Sequence, residues 1–354
     1  MSGKKRILFV DDSSMLRRML AEVLVSHPRL EVIAPTDLRP VPGAPKGIPA
    51  DLVILDLENL GENLVHVVST LRRRDARVPI LVFTSLTARA AEQTMLALAA
   101  GATDFAVKPA RAGHFRLAME YLRSELLPKV LELVHANGDG QAPPPRREGA
   151  PPMRLRSPAD LIVIGGSSGG PQALAEVLGQ LPAEFPLPIL VVQHMPPLFT
   201  QELARHLSGR CRLIVQEARD GDMAEPGVVS IAPGDFHMAI EATRGGRRIR
   251  LNQEPPEHAC RPAIDVLFRS AAVVSGGGAL GIILTGMGND GIRGSLAIRR
   301  AGGQVLVQDP ALALAESMPR SAVETGIANA IAPLAEFGSL LTSLVGEPVA
   351  ASAS

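Results

Sequence analysis

The sequence predicts an α/β protein made of two doubly wound parallel-sheet domains joined by a Pro-rich linker. Its 354 residues and 37.3 kDa suffice for two buried cores at roughly 150 residues per domain. Short apolar runs of strand length alternate with stretches of helical period on both sides of one interruption, the pattern of a parallel sheet covered by helices. The interruption, Ala136–Pro158 (ANGDGQAPPPRREGAPPMRLRSP), offers Gly, Pro, Gln and Arg but little to bury, which reads as a semi-stiff spacer. These features divide the chain into a first domain over 1–122, a helical extension and Pro-rich linker over 123–158, a second domain over 159–345 and a tail over 346–354.

In the first domain, strands are predicted at Ile7–Val10, Leu30–Ala34, Leu52–Leu55, Ile80–Phe83 and Asp104–Val107. Helices are predicted at Ser14–Ser26, Leu64–Arg73, Ala88–Ala100 and Ala112–Leu127. Ligands of such sheets sit at the carboxyl ends of the strands. Asp11 and Asp12 follow the first strand, Asp56 the third, Thr84 the fourth and Lys108 the fifth. Carboxylates crowded at one sheet end repel one another unless a hard cation lies between them, and Mg²⁺ is the usual one where phosphate is handled.

FVDDSSMLRRML, LVILD, LVFT and GATDFAVKP together resemble a two-component receiver (response regulatory) domain, with a flavodoxin-like fold. The resemblance implies that Asp56 accepts a phosphoryl group from a histidine kinase and that Asp11 and Asp12, with Asp56, hold Mg²⁺. It also implies that Thr84 and Lys108 sense the phosphoryl oxygens and that Lys108–Pro109 is a cis bond, which X–Pro permits at modest cost. Two segments depart from that pattern. Thr36–Ala50 holds four Pro and two Gly, which opposes an ordinary second helix, and LENLGEN replaces the Met-Pro turn after Asp56.

In the second domain, LIVIGGSSGGP reads as a buried strand entering a Gly-rich turn, and PQALAEVLGQL as the helix that follows. Gly165-x-Ser167-x-Gly169 fits a nucleophile elbow, whose sharp turn requires Gly and lifts the Ser hydroxyl clear of the sheet. A Walker loop is excluded, because this half contains no Lys. A dinucleotide loop is disfavoured by Ser167 where Gly is wanted, and by Glu184 lying in a Pro-rich turn. The base a Ser nucleophile needs is best supplied by His194, directly after the apolar run Leu187–Gln193, with His237 as its rival. His206 and His258 read as structural or solvated. Asp290, in the Gly-rich turn after Leu280–Thr285, is the candidate for orienting the imidazole, with Asp309 as runner-up.

IGGSSGGP, QHMPP, IAPGDFHM, ACRPAIDVLF and ILTGMGNDG together resemble the catalytic domain of the CheB-type chemotaxis protein-glutamate methylesterases, with a Rossmann-like fold. The resemblance assigns Ser167 as nucleophile, His194 as base, Asp290 as orienting carboxylate and the Met287 amide as part of the oxyanion hole, and the N–H groups at the start of the helix after the Gly-rich turn add the Ser168 amide to it. It implies a phosphorylation-regulated serine hydrolase that demethylates chemoreceptor glutamate methyl esters and deamidates receptor glutamines, with no cofactor in the hydrolase domain. The implied partners are methylated cytoplasmic helices of chemoreceptors as substrate and a histidine kinase as phosphodonor. The alternatives are a non-enzymatic receiver-linked docking module and a nucleotide-binding output domain.

Composition narrows the remaining classes. Lys plus Arg equals Asp plus Glu at 36 each, and residues 159–354 carry 14 Arg against 19 acidic residues, so a nucleic-acid partner is not expected. No Trp, one Tyr and nine Phe leave little for base stacking. No apolar run approaches the roughly 18 residues of a spanning helix, and the N-terminus lacks a signal-peptide core, so a cytoplasmic location is expected. Cys211 and Cys260 form neither a disulfide framework nor a metal pair and read as buried free thiols.

Overall fold

A computed structural model of the chain describes residues 4–11, 13–33, 50–109, 115–136 and 159–344. It resolves into two compact units, residues 1–141 and 142–354. The Thr36–Pro49 stretch, most of the Pro-rich linker and the tail lie outside the described residues.

The first unit runs β1 (Lys5–Val10), α1 (Ser14–Val25), β2 (Leu30–Ile33), β3 (Leu52–Asp56), α2 (Leu57–Leu60), α3 (Leu64–Arg74), β4 (Ile80–Thr84), α4 (Ala88–Ala99), β5 (Asp104–Val107), α5 (Phe115–Tyr121) and α6 (Leu127–Ala136). The five strands pair in parallel in the order β2-β1-β3-β4-β5. Strands β3 and β4 are buried along their whole length, as near-continuous apolar runs covered on both faces must be. Helix α1 turns Met19, Leu20, Val23 and Leu24 inward, the one-sided stripe of a 3.6-residue period, and Ser13 caps it by accepting from the Leu16 N–H.

Two expectations are corrected here. The last helical stretch is not one uniform helix. Leu122–Leu126 is a π turn between α5 and α6, burying Leu122 and Leu126, and the helical chain continues to Ala136. Lys108–Pro109 is not cis. The cis bond among the described residues is Arg261–Pro262, and because either isomer is open to an X–Pro bond, sequence alone does not select it.

The second unit runs β6 (Leu161–Gly166), α7 (Gly170–Gly179), β7 (Ile189–Gln193), α8 (Phe199–Ser208), β8 (Ile214–Glu217), β9 (Val228–Ile231), β10 (His237–Thr243), β11 (Gly246–Asn252), α9 (Ile264–Ser275), β12 (Ala279–Ile283), α10 (Ile292–Arg300), β13 (Gln304–Gln308), α11 (Ser317–Glu324), β14 (Ala330–Ala332) and α12 (Phe337–Leu344). Seven strands form a parallel sheet in the order β14-β13-β12-β6-β7-β9-β8, and β10 and β11 form a separate antiparallel hairpin. The core packs Leu161, Val163, Leu190, Val192 and Ile283 of the sheet against Ile264, Leu267 and Phe268 of α9. Strand β6 is central, flanked by β12 and β7. The turns after these three adjacent strands therefore converge at one sheet end, where such folds place their ligands.

Candidate active site

The turn after β6 is held by close packing that leaves little choice of residue. Gly169 adopts a left-handed backbone (φ 76°) at the N-cap of α7, and a Cβ there would come 2.8 Å from the Leu314 side chain. A Cβ on Gly170 would come 1.8 Å from Gln193 Oε1, because the buried Gln193 amide lies under the turn and donates to the Ser167 carbonyl at 2.7 Å. Thr285 Oγ1 donates to the Ser168 carbonyl at 2.9 Å and accepts from Ala315 N, tying this turn to the end of β12. Gly286 completes the closure, since a Cβ on it would lie 2.8 Å from Ser167 Cβ. The Gly286–Met287 turn thus abuts the Ser167 side chain. The amides of Ser168 and Met287 have no acceptor among the described residues, so two N–H donors are available beside Ser167.

His194 sits at the end of β7, where its N–H donates to the Gly166 carbonyl at 3.0 Å. Its Nε2 meets Asp290 Oδ2 at 2.9 Å, and its Nδ1 lies 3.7 Å from Cys260 Sγ. No hydrogen bond joins Ser167 Oγ to the ring among the described residues. Burial lowers the affinity of the ring for a proton. The Asp290 carboxylate and Cys260 more than reverse that, so the imidazole is pushed up to about 10.

Asp290, 2% exposed, is saturated with donors. Oδ2 accepts from Ile264 N at 2.7 Å as well as from His194, and Oδ1 accepts from Asp265 N at 2.9 Å and Gly291 N at 2.8 Å. Burial alone would raise its pKa, but His194 and these N–H groups hold it below the usual carboxylate range. Asp265, fully buried in the first turn of α9, returns the favour by accepting from Gly294 N of α10 at 2.6 Å, while its other oxygen meets His258 Nε2 at 2.9 Å. Each helix N-terminus is therefore capped by an Asp associated with the other, which satisfies orphan donors that α9 and α10 could not satisfy alone. Burial is the main reason the Asp265 carboxyl is raised, and Asp290 adds to it. His258, Asp265 and Asp290 offer ligand atoms within 4.8 Å of one another, yet N–H donors already occupy these carboxylates.

The rivals named from sequence fall elsewhere. His237 is a satisfied core residue, with Nε2 at 3.1 Å from the Pro255 carbonyl and Nδ1 accepting from Ala263 N. Asp309 caps a short 3-10 turn by accepting from Ala311 N. His206 lies on α8. His258 is not simply solvated, because it is paired with buried Asp265. Cys260 is not buried but partly exposed, and it touches the ring of His194. Asp265, Gln193 and Cys260 were not selected from sequence. The stretch ACRPAIDVLF contains two of them, and only the fold gives them a role, Asp265 through Gly294 of α10 and Cys260 through His194.

In the first unit, Asp11, Asp56, Thr84 and Lys108 all lie at the carboxyl end of the sheet, while Asp12 lies outside the described residues. Asp56, 2% exposed, accepts from Asn59 N at 3.1 Å through Oδ1, which caps α2, and pairs with Lys108 Nζ at 2.6 Å through Oδ2. Burial raises its pKa against the opposing pull of Lys108, and Asp11 raises it further. Lys108 is shared. Its Nζ is 2.5 Å from Glu58 Oε2, and Glu58 Oε1 accepts from Ser85 N at 2.8 Å. Asp11 Oδ1 accepts from Ser13 N, but among the described residues its buried Oδ2 has no hydrogen-bond partner. An orphaned carboxylate oxygen beside a second, desolvated carboxylate is a donor set that fits a hard divalent cation.

Fold and sites define a class, a receiver-type unit followed by an α/β unit with Ser, His and Asp at the ends of three adjacent strands. Comparison with known proteins makes that specific. A model of the CheB methylesterase family matches residues 162–341, and a model of the response regulator receiver domain matches residues 7–120. The chain belongs to the CheB methylesterase family. It is 38% identical over 355 residues, 97% of this chain and 99% of the relative, to a protein-glutamate methylesterase/protein-glutamine glutaminase of Trichodesmium erythraeum. It is 39% identical over 344 residues, 94% and 93% of the two chains, to one of a Nocardioides species. The crystal structure of the Thermotoga maritima CheB methylesterase catalytic domain is 39% identical, with a TM-score of 0.52, covering 53% of this chain and all of that one. Among the described residues no helix is long and apolar enough to cross a membrane.

Proposed function

We propose that the chain is a phosphorylation-regulated serine hydrolase that removes methyl groups from glutamate methyl esters of chemoreceptors and deamidates receptor glutamines. The observation that carries this reading is the convergence of Ser167, His194 and Asp290 from three adjacent strands, with His194 bonded to Asp290 at 2.9 Å. Ser167 Oγ attacks the γ-ester carbonyl, and the proton passes to His194. Because Nε2 is committed to Asp290, Nδ1 is the nitrogen that receives it. The amides of Ser168 and Met287 stabilise the oxyanion. Protonated His194 then gives the proton to the leaving methoxide, so methanol departs and a glutamyl ester remains on Ser167. Water repeats the sequence and frees the enzyme. The same acyl chemistry on glutamine releases ammonia. Asp290 keeps its charge throughout, stabilising the imidazolium and fixing its orientation.

Asp56 is the phosphoryl acceptor, supplied by a histidine kinase, and Thr84 and Lys108 sense the transferred group. Phosphorylation of receiver domains typically needs Mg²⁺. Here Asp11 and Asp56, with Asp12, would hold the ion, which supplies charge neutralisation for the incoming phosphoryl group. The hydrolase half is proposed to work without a cofactor. Methanol release from a methylated receptor fragment by the wild type and by Ser167→Ala tests the reading. Undiminished release by Ser167→Ala overturns it in favour of a docking module or a different nucleophile.

A further inference from the structure

Cys260 occupies the one nitrogen of His194 that the proposed chemistry needs. Asp290 takes Nε2 at 2.9 Å, and Cys260 Sγ stands 3.7 Å from Nδ1. The thiol is held there by a tight turn rather than by chance rotation of a surface side chain. Glu257 and Cys260 exchange backbone hydrogen bonds, 3.2 Å from Glu257 N and 2.8 Å from Cys260 N. The two residues between them, His258 and Ala259, are both left-handed with φ of 51° and 59°. Left-handed backbone in consecutive non-Gly residues is costly and persists where the surroundings over-determine it. Those surroundings are visible. Arg269 pairs with both carboxylate oxygens of Glu257, at 2.9 and 2.5 Å, and His258 is anchored on buried Asp265.

We propose that Cys260 is a positioning residue that restrains the free face of the base, competing with Ser167 for Nδ1 of His194 and yielding it during turnover. The inference rests on the Ser167–His194–Asp290 reading given above. While sulfur sits at Nδ1, either the thiol proton points at that nitrogen or the N–H of the imidazolium points at the sulfur. In both states the nitrogen cannot accept the Ser167 proton. The groups facing His194 are Asp290 and Cys260. Behind Asp290 stand His258 at 3.9 Å from Oδ1, Asp265, and the Arg269–Glu257 pair. Of these, Cys260 alone engages Nδ1. The high proton affinity of His194 agrees with the contact, since Cys260 acts in the same direction as Asp290.

The test is the pH dependence of kcat/KM for methanol release from a methylated receptor fragment, with full-length Cys260→Ala and Cys260→Ser. Removing the thiol should move the acid limb down by about one unit and so raise kcat/KM at pH 7 about tenfold. Cys260→Ser should fall between, because a hydroxyl oxygen can still accept from the Nδ1–H of the imidazolium. An acid limb unchanged in Cys260→Ala, or activity lowered in parallel at every pH, would overturn the proposal. Iodoacetamide supplies a second readout in a Cys211→Ser background. Alkylation should abolish esterase activity when Cys260 is present and leave Cys260→Ala untouched, and full activity after stoichiometric labelling of Cys260 would also overturn it. Ser167→Ala, run alongside, separates the two ideas. If it retains activity the site reading is wrong, whereas if it is inactive and the Cys260 profile is flat, only the role of Cys260 is wrong.

Discussion

Asp56, the last residue of β3, and Asp290, in the turn between β12 and α10, are both 2% exposed on the carboxyl-end side of their sheets, yet they are left in opposite electrostatic conditions. Asp290 accepts four hydrogen bonds from fixed donors and is held below the usual carboxylate range. Among the described residues Asp56 has one backbone donor and one side-chain ammonium, shared with Glu58, and burial raises its pKa. A carboxylate whose lone pairs are all satisfied by rigid groups is an orienting charge that has no reason to react. One that is desolvated and under-satisfied, beside the orphaned Oδ2 of Asp11, is suited to taking an electrophile with a cation in attendance. The same residue type on the carboxyl-end side of a parallel sheet is thus suited to opposite tasks by its donors.

The largest effects should come from breaking the saturated site. Ser167→Ala, His194→Ala and Asp290→Ala should each lower methanol release by about 10³-fold or more, and the double variants should lose little further, because the three act as a unit. His237→Ala is the control. Retained activity in His194→Ala with activity lost in His237→Ala would reassign the base. Breaking the unsaturated site gives a different signature. Asp56→Asn should abolish phosphoryl uptake from acetyl phosphate and Mg²⁺, read by labelling, while basal methanol release stays measurable. Labelling of Asp56→Asn at the wild-type level would place the acceptor elsewhere.

Much of this was legible because each chemical group follows an apolar run. Ser167, His194 and Asp290 stand after strand-length stretches, as do Asp11, Asp56, Thr84 and Lys108, and strand ends are where a parallel sheet delivers side chains. What was not legible depends on contacts between distant segments. Asp265 sits inside an apolar helix face, Ile-Asp-Val-Leu-Phe, and no local pattern signals that it caps a helix 29 residues away at Gly294. His258 looked like a residue of a polar loop, and only the fold shows it against Asp265. The expectation of parallel sheets also leaves out the antiparallel hairpin of β10 and β11, since alternation along a strand does not name its neighbours.

Reciprocal capping predicts a smaller effect that touches stability as much as rate. Asp265→Ala would strip the acceptor from Gly294 N and the partner from His258. Leaving a buried donor unsatisfied costs about 1–3 kcal/mol. Urea unfolding of the full chain should therefore show a lower midpoint in the transition of the second unit, with methanol release reduced less than in Asp290→Ala. Asp265→Asn should recover part of the stability, because its amide oxygen can still accept from Gly294 N. Equal stability of Asp265→Ala and wild type would mean that water or a local shift serves Gly294 as well as the carboxylate does.

The smallest expected effect concerns Glu58, which makes the receiver site less open than its acceptor chemistry requires. Glu58 holds Lys108 Nζ at 2.5 Å and the Ser85 amide at 2.8 Å, and Lys108 is also the cation that meets Asp56 at 2.6 Å. Burial would raise the Glu58 pKa, but Lys108 and Ser85 outweigh it and the carboxyl is held low. The group is therefore charged across the neutral range, and the competition does not relax until acid pH. On the proposed reading, phosphorylation of Asp56 would have to displace this carboxylate from Lys108, so part of the interaction energy of the incoming group would be offset by the contact it breaks. Glu58→Gln keeps an oxygen for the Ser85 amide and removes the charge that competes for Lys108. It should speed phosphoryl uptake from acetyl phosphate a few-fold, since each step of about 1.4 kcal/mol is worth tenfold and a half-exposed pair contributes less than that. The gain should shrink as pH falls through the carboxylate range, where wild-type Glu58 itself becomes neutral. Slower uptake in Glu58→Gln would show that Glu58 poises Lys108 for the phosphoryl group instead of withholding it.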